Sequence, residues 1–319
     1  MSTAPRVETI TEASLQEAAK LIRAGELVAF PTETVYGLGA DATNDHAVAR
    51  IFEAKGRPQF NPLIVHVNNL KQAHLHATFN KEANQLAEKF WPGALTFVLP
   101  SRPGSSVSKL ARAGLETVAV RAPMHPVARR LLELAKCPVA APSANRSGHL
   151  SPTTAHHVAE DLGAEITLVL DGGPCLIGVE STIIDLSRTP PCLLRPGGIP
   201  SEDIAAELGE LDIGSPKSIR APGMLTNHYA PVTPVRLNAQ DCKDSEALLA
   251  FGPKPIPDAR VSANLSPTGD LVEAASNLFA MLHMLDATDC TAIVAMSVPE
   301  QGLGLAINDR LRRAAAGRE

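Results

Sequence analysis

Aromatic side chains are scarce in this 319-residue sequence: one Trp, two Tyr and eight Phe, 3% of the chain. Platforms for single-stranded nucleic acid stack bases on aromatic rings, so that class is disfavoured, and the core must come mainly from Leu, Val, Ile and Ala. Positive charge is also short. Twenty-nine Lys and Arg face 34 Asp and Glu, for a net charge of −5, whereas proteins that grip a phosphate backbone carry a basic excess. The five cysteines, Cys137, Cys175, Cys192, Cys242 and Cys290, form no C-x-x-C pair. Their spacing suggests neither a zinc knuckle nor a disulfide framework, and reduced thiols in a reducing compartment are expected. No apolar run approaches the ~18 residues that span a bilayer, and residues 1–10 lack the apolar stretch of a secretory signal. The expectation is a cytoplasmic protein with no membrane partner.

Familiar catalytic signatures are missing as well. There is no G-x-x-x-x-G-K-[ST] loop, and Gly37-Leu38-Gly39 lacks the third glycine of a dinucleotide fingerprint. Neither a Ser-His-Asp elbow nor a His/Cys metal cluster occurs. A bound nucleotide would therefore need its phosphates neutralised from elsewhere, and Lys55, Arg57, Arg121 and Arg195 are the candidates.

What is present reads as globular: 45% hydrophobic and 20% charged residues, with a length suited to two domains at roughly 100–200 residues each. Ser14-Leu15-Gln16-Glu17 fits a capping box opening a helix with Leu15, Ala18, Ala19 and Ile22 on one face, stopped by Gly25. Helices are expected over 45–55, 81–90, 127–136 and 153–162. Strands are expected over 27–30, 63–67, 94–99, 118–121, 139–141, 167–170, 182–186 and 192–194. Such alternation argues for an α/β sheet covered by helices, mixed rather than wholly parallel because the later strands follow one another closely. Near Ile213 the periodicity stops, and Gly214, Pro216, Pro222, Gly223, Pro231 and Pro234 mark a linker. The domains are expected at 1–213 and 233–319, joined by 214–232. In the second, a strand over 247–251, a helix over 270–285, a strand over 291–296 and a helix from about 306 suggest a small α/β unit.

Polar residues gather where strands end: Thr32, Glu33, Thr34 and Tyr36; His66; Arg121; Ser143 and Asn145; Glu180, Ser181 and Thr182; and Arg195 before Pro196-Gly197-Gly198. In open α/β sheets ligands sit beyond strand ends, so one shared crevice is suggested. Singly these residues have ordinary explanations. A strand-closing arginine is commonly salt-bridged, His66 alone reads as a satisfied semi-buried histidine, and Lys55 and Arg57 suit a helix C-terminus. The set carries the weight.

Lys55-Gly56-Arg57 with Asn61-Pro62-Leu63 and Ser143-Ala144-Asn145 resemble the K-x-R and S-x-N signature of the YrdC/TsaC-type threonylcarbamoyl-AMP synthases. Phe30-Pro31-Thr32-Glu33-Thr34-Val35-Tyr36-Gly37-Leu38, Trp91-Pro92-Gly93, Val120-Arg121-Ala122-Pro123, Gly178-Val179-Glu180-Ser181-Thr182 and Leu194-Arg195-Pro196-Gly197 match the same family in order. Ala221-Pro222-Gly223-Met224 with His228-Tyr229-Ala230-Pro231, and Gly302-Leu303-Gly304 through Asp309-Arg310-Leu311, resemble the linker and second-domain end of its long form. The uncharged Leu225-Thr226-Asn227 departs from relatives that carry a basic residue after Pro-Gly-Met.

The resemblance implies a YrdC-like twisted mixed sheet with flanking helices, then a linker serving as a lid and a small Rossmann-like domain. It implies that L-threonine, bicarbonate and ATP, with Mg²⁺ on the triphosphate, give threonylcarbamoyl-AMP and pyrophosphate. Other proteins would then transfer the threonylcarbamoyl group to an adenosine of tRNA, with tRNA itself at most a weak partner. The threonine pocket would involve Thr34, His66, Arg121, Ala141 and Ser181. The ATP site would involve Arg57, Asn61, Thr117, Ser143, Ser151, Arg195 and Tyr229, with Lys55, Arg57, Ser143 and Asn145 as the catalytic set. Two rival readings are an RNA-binding module using the basic cleft without adenylation, and a carbamoyl-transfer enzyme acting on a protein. The latter class normally adds zinc-finger and acylphosphatase-like modules that this sequence lacks.

Overall fold

The computed structural model describes residues 5–213 and 229–317. The first domain runs β1 (Arg6–Thr9), α1 (Glu12–Arg23), β2 (Val28–Phe30), β3 (Gly37–Asp41), α2 (Asp45–Lys55), β4 (Ile64–His66), the one-turn α3 (Leu70–Ala73), α4 (Lys81–Phe90), β5 (Leu95–Pro100) and β6 (Thr117–Arg121). It continues through α5 (Pro126–Ala135), β7 (Val139–Ala140), α6 (Ala155–Leu162), β8 (Leu168–Asp171), β9 (Thr182–Asp185), β10 (Cys192–Arg195) and α7 (Ser201–Leu208). The α1 helix starts one turn before the Ser14 expected to cap it. Thr11 is the cap and Ser14 is its N3 partner, and the Ser14 hydroxyl also donates 2.9 Å to Thr9 O, tying the helix to β1.

Ten strands form one mixed sheet in the order β1-β8-β2-β3-β7-β4-β6-β5-β9-β10. Side chains alternate between faces along each strand. On one face Ala29, Leu38, Val65, Val120, Phe97 and Ile184 meet α2, α4 and α6 in the main core. On the other, Val28, Phe30, Val139 and Leu168 pack under α1 and α5, while Ile64, Ala119, Val98 and Ile183 form a separate apolar patch. His66 and Arg121, two positions beyond Ile64 and Ala119, stand on this second face, and they are register partners across the parallel β4–β6 pair.

The second domain comprises β11 (Val235–Arg236), β12 (Glu246–Ala250), β13 (Val261–Asn264), α8 (Leu271–Asp286), β14 (Ala292–Ala295) and α9 (Leu303–Ala315). Its four strands are all parallel, in the order β11-β14-β12-β13. Both helices pack on one face in a core that also takes in Val35, Leu150 and Val179 of the first domain. The two domains thus share apolar packing. Of the linker expected over 214–232, residues 214–228 lie outside the described residues, while Tyr229 and Ala230 are buried. No helix among the described residues is long and apolar enough to cross a membrane.

Candidate active site

The crevice expected beyond the strand ends of an open α/β sheet takes a particular form. Three successive antiparallel pairings, β2–β3, β3–β7 and β7–β4, leave β2 and β4 pointing in opposite senses. The last side chains of these two strands nevertheless meet, the Phe30 and His66 rings lying edge to face with centroids 6.4 Å apart, and the segment 31–36 that follows Phe30 reaches Arg121 of β6. There the Thr34 hydroxyl accepts 2.9 Å from Arg121 Nη1, and the Glu33 carboxylate accepts 2.5 Å from Arg121 Nη2. Arg121 Nε donates to Gly93 O at 3.1 Å. Thr32 fixes the turn, its hydroxyl donating 2.6 Å to Val35 O and lying 2.8 Å from that of Thr34.

The resulting pocket is lined by Thr34, Arg57, His66, Arg121, Ala141, Ser143, Ser181, Arg195 and Tyr229 among the residues expected from sequence, joined by Glu180, Tyr36 and Ile64. Its empty space, open solvent at the mouth included, is about 490 Å³. Arg57, His66, Arg121 and Arg195 are only 3–6% exposed. Burying charge is costly unless it is paired or hydrogen-bonded, so the partners of each cation matter.

Arg121 has the Glu33 carboxylate, which also accepts from the backbone N–H of Met124 (3.1 Å) and His125 (3.2 Å) ahead of α5. Burial alone would raise the Glu33 pKa, but the charge and hydrogen bond of Arg121 outweigh it and hold the carboxyl below its ordinary value. The guanidinium is therefore not an open fork: one N–H on each terminal nitrogen remains for a ligand. Arg57 donates to two carbonyls, Asn61 O (3.1 Å) and Pro62 O (2.9 Å). Burial, together with the nearby Arg195, pushes its pKa down to about 9. Arg195 donates to Ser181 O at 2.9 Å and reaches the Ser181 hydroxyl at 3.3 Å, and that hydroxyl lies 2.8 Å from the Thr96 hydroxyl.

His66 is a neutral imidazole, since burial and then the Arg121 charge lower its pKa to about 3. Its Nδ1 has no hydrogen-bond partner among the described residues, nor do the side-chain amide atoms of Asn61 or Oδ1 of Asn145. Buried polar atoms are nearly always satisfied, so orphans concentrated around one pocket mark places where a ligand supplies the missing partner.

Five expected residues do not line the pocket. Lys55 ends α2 and donates 2.5 Å to Ser143 O and, at shorter range, to Asn145 O. It braces the 143–145 loop from below, and burial followed by the Arg57 charge lowers its pKa well below the usual lysine value. Gly56, left-handed at φ +57°, ends the helix between Lys55 and Arg57. Asn61 is buried beside the Arg57 guanidinium. Asn145 donates to Arg146 O and His149 O, both at 2.9 Å. Ser151 is buried behind the wall and donates to Glu180. Thr117 begins β6, four residues from Arg121 and about 13 Å along an extended strand. Glu33 and Glu180 were visible in sequence as polar strand-flanking residues without a role, and their roles depend on arginines far away in the chain.

No group of three or more His, Cys, Asp or Glu that could hold a metal ion occurs among the described residues. Both carboxylates at the site are committed, Glu33 to Arg121 and Glu180 to Ser151 and Arg310.

The profile of the Sua5/YciO/YrdC family, described as telomere recombination, matches residues 20–197. The profile of the threonylcarbamoyl-AMP synthase C-terminal domain matches residues 199–316. A threonylcarbamoyl-AMP synthase of Pyrococcus abyssi is 46% identical over 98% of this chain and 96% of its own length. One of Bacillus subtilis is 42% identical over 95% and 93%. The crystal structure of P. abyssi Sua5 complexed with L-threonine superposes with a TM-score of 0.89 at 44% identity, covering 100% of this chain and 98% of that one.

Proposed function

The chain belongs to the Sua5/YciO/YrdC family in its two-domain threonylcarbamoyl-AMP synthase form, and we propose that the pocket joins L-threonine, bicarbonate and ATP into threonylcarbamoyl-AMP. The observation that supports this use of the pocket is the meeting of three buried arginines with hydroxyls and an imidazole whose Nδ1 lacks a partner among the described residues. A carboxylate suits Arg121, whose remaining N–H groups face a site already shaped by Glu33. The threonine hydroxyl suits His66 Nδ1, Thr34 and Ser181. Phosphates suit Arg57 and Arg195, with Ser143, Ser151, Asn61, Thr117 and Tyr229 toward the nucleotide.

The amine of threonine attacks bicarbonate to form the N–C bond with loss of water. The carbamate oxygen then attacks the α-phosphorus, forming the O–P bond as the bond to the β-phosphate breaks and pyrophosphate leaves. No protein nucleophile is needed. The residues position the reactants, and the guanidinium groups stabilise charge that shifts onto the leaving pyrophosphate. The buried pocket keeps water from the labile anhydride. Lys55 and Asn145 act one layer back, holding the loop that presents Ser143. Mg²⁺ would enter as part of the nucleotide substrate, and the two carboxylates at the site, Glu33 and Glu180, are already bonded to protein partners, so no step is assigned to it. The product serves threonylcarbamoyl transfer to tRNA by other proteins.

Pyrophosphate release from ATP, measured with threonine and bicarbonate omitted in turn, tests the reading. Release is expected only with both. Valine lacks the hydroxyl that the site pairs and should be a poor substitute. Release that continues without threonine would overturn the assignment.

A further inference from the structure

Arg310 is a fully buried arginine of the second domain that belongs functionally to the first. From α9 its Nε donates 2.9 Å to Glu180 Oε2, a pocket-lining carboxylate 130 residues away, and its Nη1 donates 2.8 Å to Pro196 O beside Arg195. Its guanidinium carbon lies 5.1 Å from the centre of the Tyr229 ring, a cation–π arrangement. Glu180 in turn receives the Ser151 hydroxyl on its other oxygen. One side chain thus touches, or is one step from, Glu180, Ser151, Tyr229 and the residue after Arg195.

The backbone of this seam is built for close approach. Gly178 sits at φ +75°, and a Cβ there would lie 2.5 Å from Ala275 O and Ser276 O of α8. A Cβ on Gly197 would lie 2.3–2.4 Å from backbone atoms of Glu180, Ser181 and Thr182. Val179 is buried in the second-domain core. The Gly178-Val179-Glu180-Ser181-Thr182 segment is therefore clamped between α8, α9 and the Pro196-Gly197 turn, and its register fixes where Glu180 and Ser181 stand. The threonine side depends on this seam less, through Ser181 and the Ile177 N–H to Glu33 O bond, because Arg121, Glu33, Thr34 and Gly93 are also bonded to one another within the first domain.

We infer that Arg310 is a positioning residue through which the second domain completes the nucleotide side of the pocket, with a smaller effect on the threonine side. The inference rests on the assignment of Ser151, Arg195 and Tyr229 to the nucleotide. Calorimetry on the full chain tests it, using a non-hydrolysable ATP analogue and, separately, L-threonine. Arg310→Met should weaken the analogue by about 10- to 100-fold, taking as guide the loss seen when a partner that orients a metal ligand is removed, with threonine affinity changed by a clearly smaller factor. Arg310→Lys, which keeps the charge but not the fork, should recover part of that loss. Equal loss for both ligands, or a lowered melting temperature with unchanged analogue affinity, would reduce Arg310 to a structural role and overturn the inference. If Arg310→Met does not fold, Glu180→Gln decides, since it breaks the same link from the other end and should give the same selective loss. Wild-type protein that binds the analogue but releases no pyrophosphate would instead refute the reaction assigned above.

Discussion

Glu33→Gln tests the central pair of the site at constant shape. In the folded protein the carboxylate serves two sets of donors: Arg121 Nη2 on one oxygen, and the backbone N–H groups of Met124 and His125 on the other. A glutamine amide has one acceptor oxygen, so whichever set it keeps, its NH₂ faces the other set donor to donor. Both partners of the ion pair are at most 4% exposed, so no water can take over. Removing one partner of such a buried pair costs about 3–5 kcal/mol. Retention of one acceptor puts the substitution near the lower end, about 3 kcal/mol. At roughly 2–4 °C per kcal/mol for a domain of this size, the melting temperature should fall by about 6–12 °C. The misplaced Arg121 should also weaken threonine binding while the nucleotide analogue binds as before. Because the Glu33 pKa is depressed, its contribution is present above the unfolded-state value and is lost as pH falls through the lower folded value. The gap between wild type and variant should therefore be full at neutral pH and shrink in acid below about pH 4. Thermal melts from pH 7 down to 3, with threonine titrations at pH 7, give both readouts. A shift under about 2 °C, or a gap that does not change with pH, would refute the reasoning.

Lys55→Met removes the donor to Ser143 O and Asn145 O. With about 1–3 kcal/mol per unsatisfied buried carbonyl, the denaturation midpoint should drop by the equivalent of about 2–6 kcal/mol at unchanged m-value, and hydrogen exchange should quicken around residues 143–147. Threonine affinity should stay flat from pH 8 to 5, because His66 remains neutral down to about pH 3. The folded chain then binds fewer protons than the unfolded one between about pH 6.5 and 3, so this histidine erodes stability as pH falls through that window; a titration step in affinity near pH 6.5 would contradict the assignment. Gly39→Ala places a Cβ 2.7 Å from the Phe30 ring and should cost about 1–3 kcal/mol by overpacking. In a double-mutant cycle Phe30→Leu should relieve part of that cost, whereas strictly additive effects would show that the ring is not what excludes a side chain.

The elements that were legible in the sequence are those whose signals are local. Helix α2 begins and ends where expected, over Asp45–Lys55, because Asn44 caps it through its own side chain and Gly56 stops it in the left-handed region. Helix α4 likewise runs Lys81–Phe90, capped by Asn80. Strand β3, Gly37–Asp41, was not legible, because its glycines read as a turn. Gly39 stands in a strand because the Phe30 ring from β2 lies over it, and that pairing becomes visible only once the sheet is formed. The site divides in the same way. His66, Arg121, Glu33 and Glu180 could all be picked out as polar residues beside apolar strands, but which arginine each of the two glutamates pairs with could not. Glu33 meets Arg121 across 88 positions and Glu180 meets Arg310 across 130, and at such separations periodicity and spacing carry no information about who pairs with whom.

Those pairings resolve how a chain with net charge −5 can hold an acidic amino acid end and a polyanionic nucleotide together. The excess of acidic residues lies elsewhere, while Lys55, Arg57, Arg121, Arg195 and Arg310 are all buried around one pocket. Arg121 and Arg310 are each bonded to a carboxylate. Their charges are compensated in the fold itself, and on the assignment proposed above they serve as fixed geometry, one for the threonine carboxylate and one for the shape of the nucleotide wall. Arg57 and Lys55 are held by carbonyl oxygens, and both have depressed pKa values because carbonyl dipoles replace lost hydration only in part. On the same assignment, a triphosphate brings the counter-charge that Arg57 lacks. Attraction for the nucleotide is thus stored as incompletely compensated burial of cations. The threonine end, compensated by Glu33 in advance, depends instead on the fit of a hydroxyl and a carboxylate to donors and acceptors that do not move.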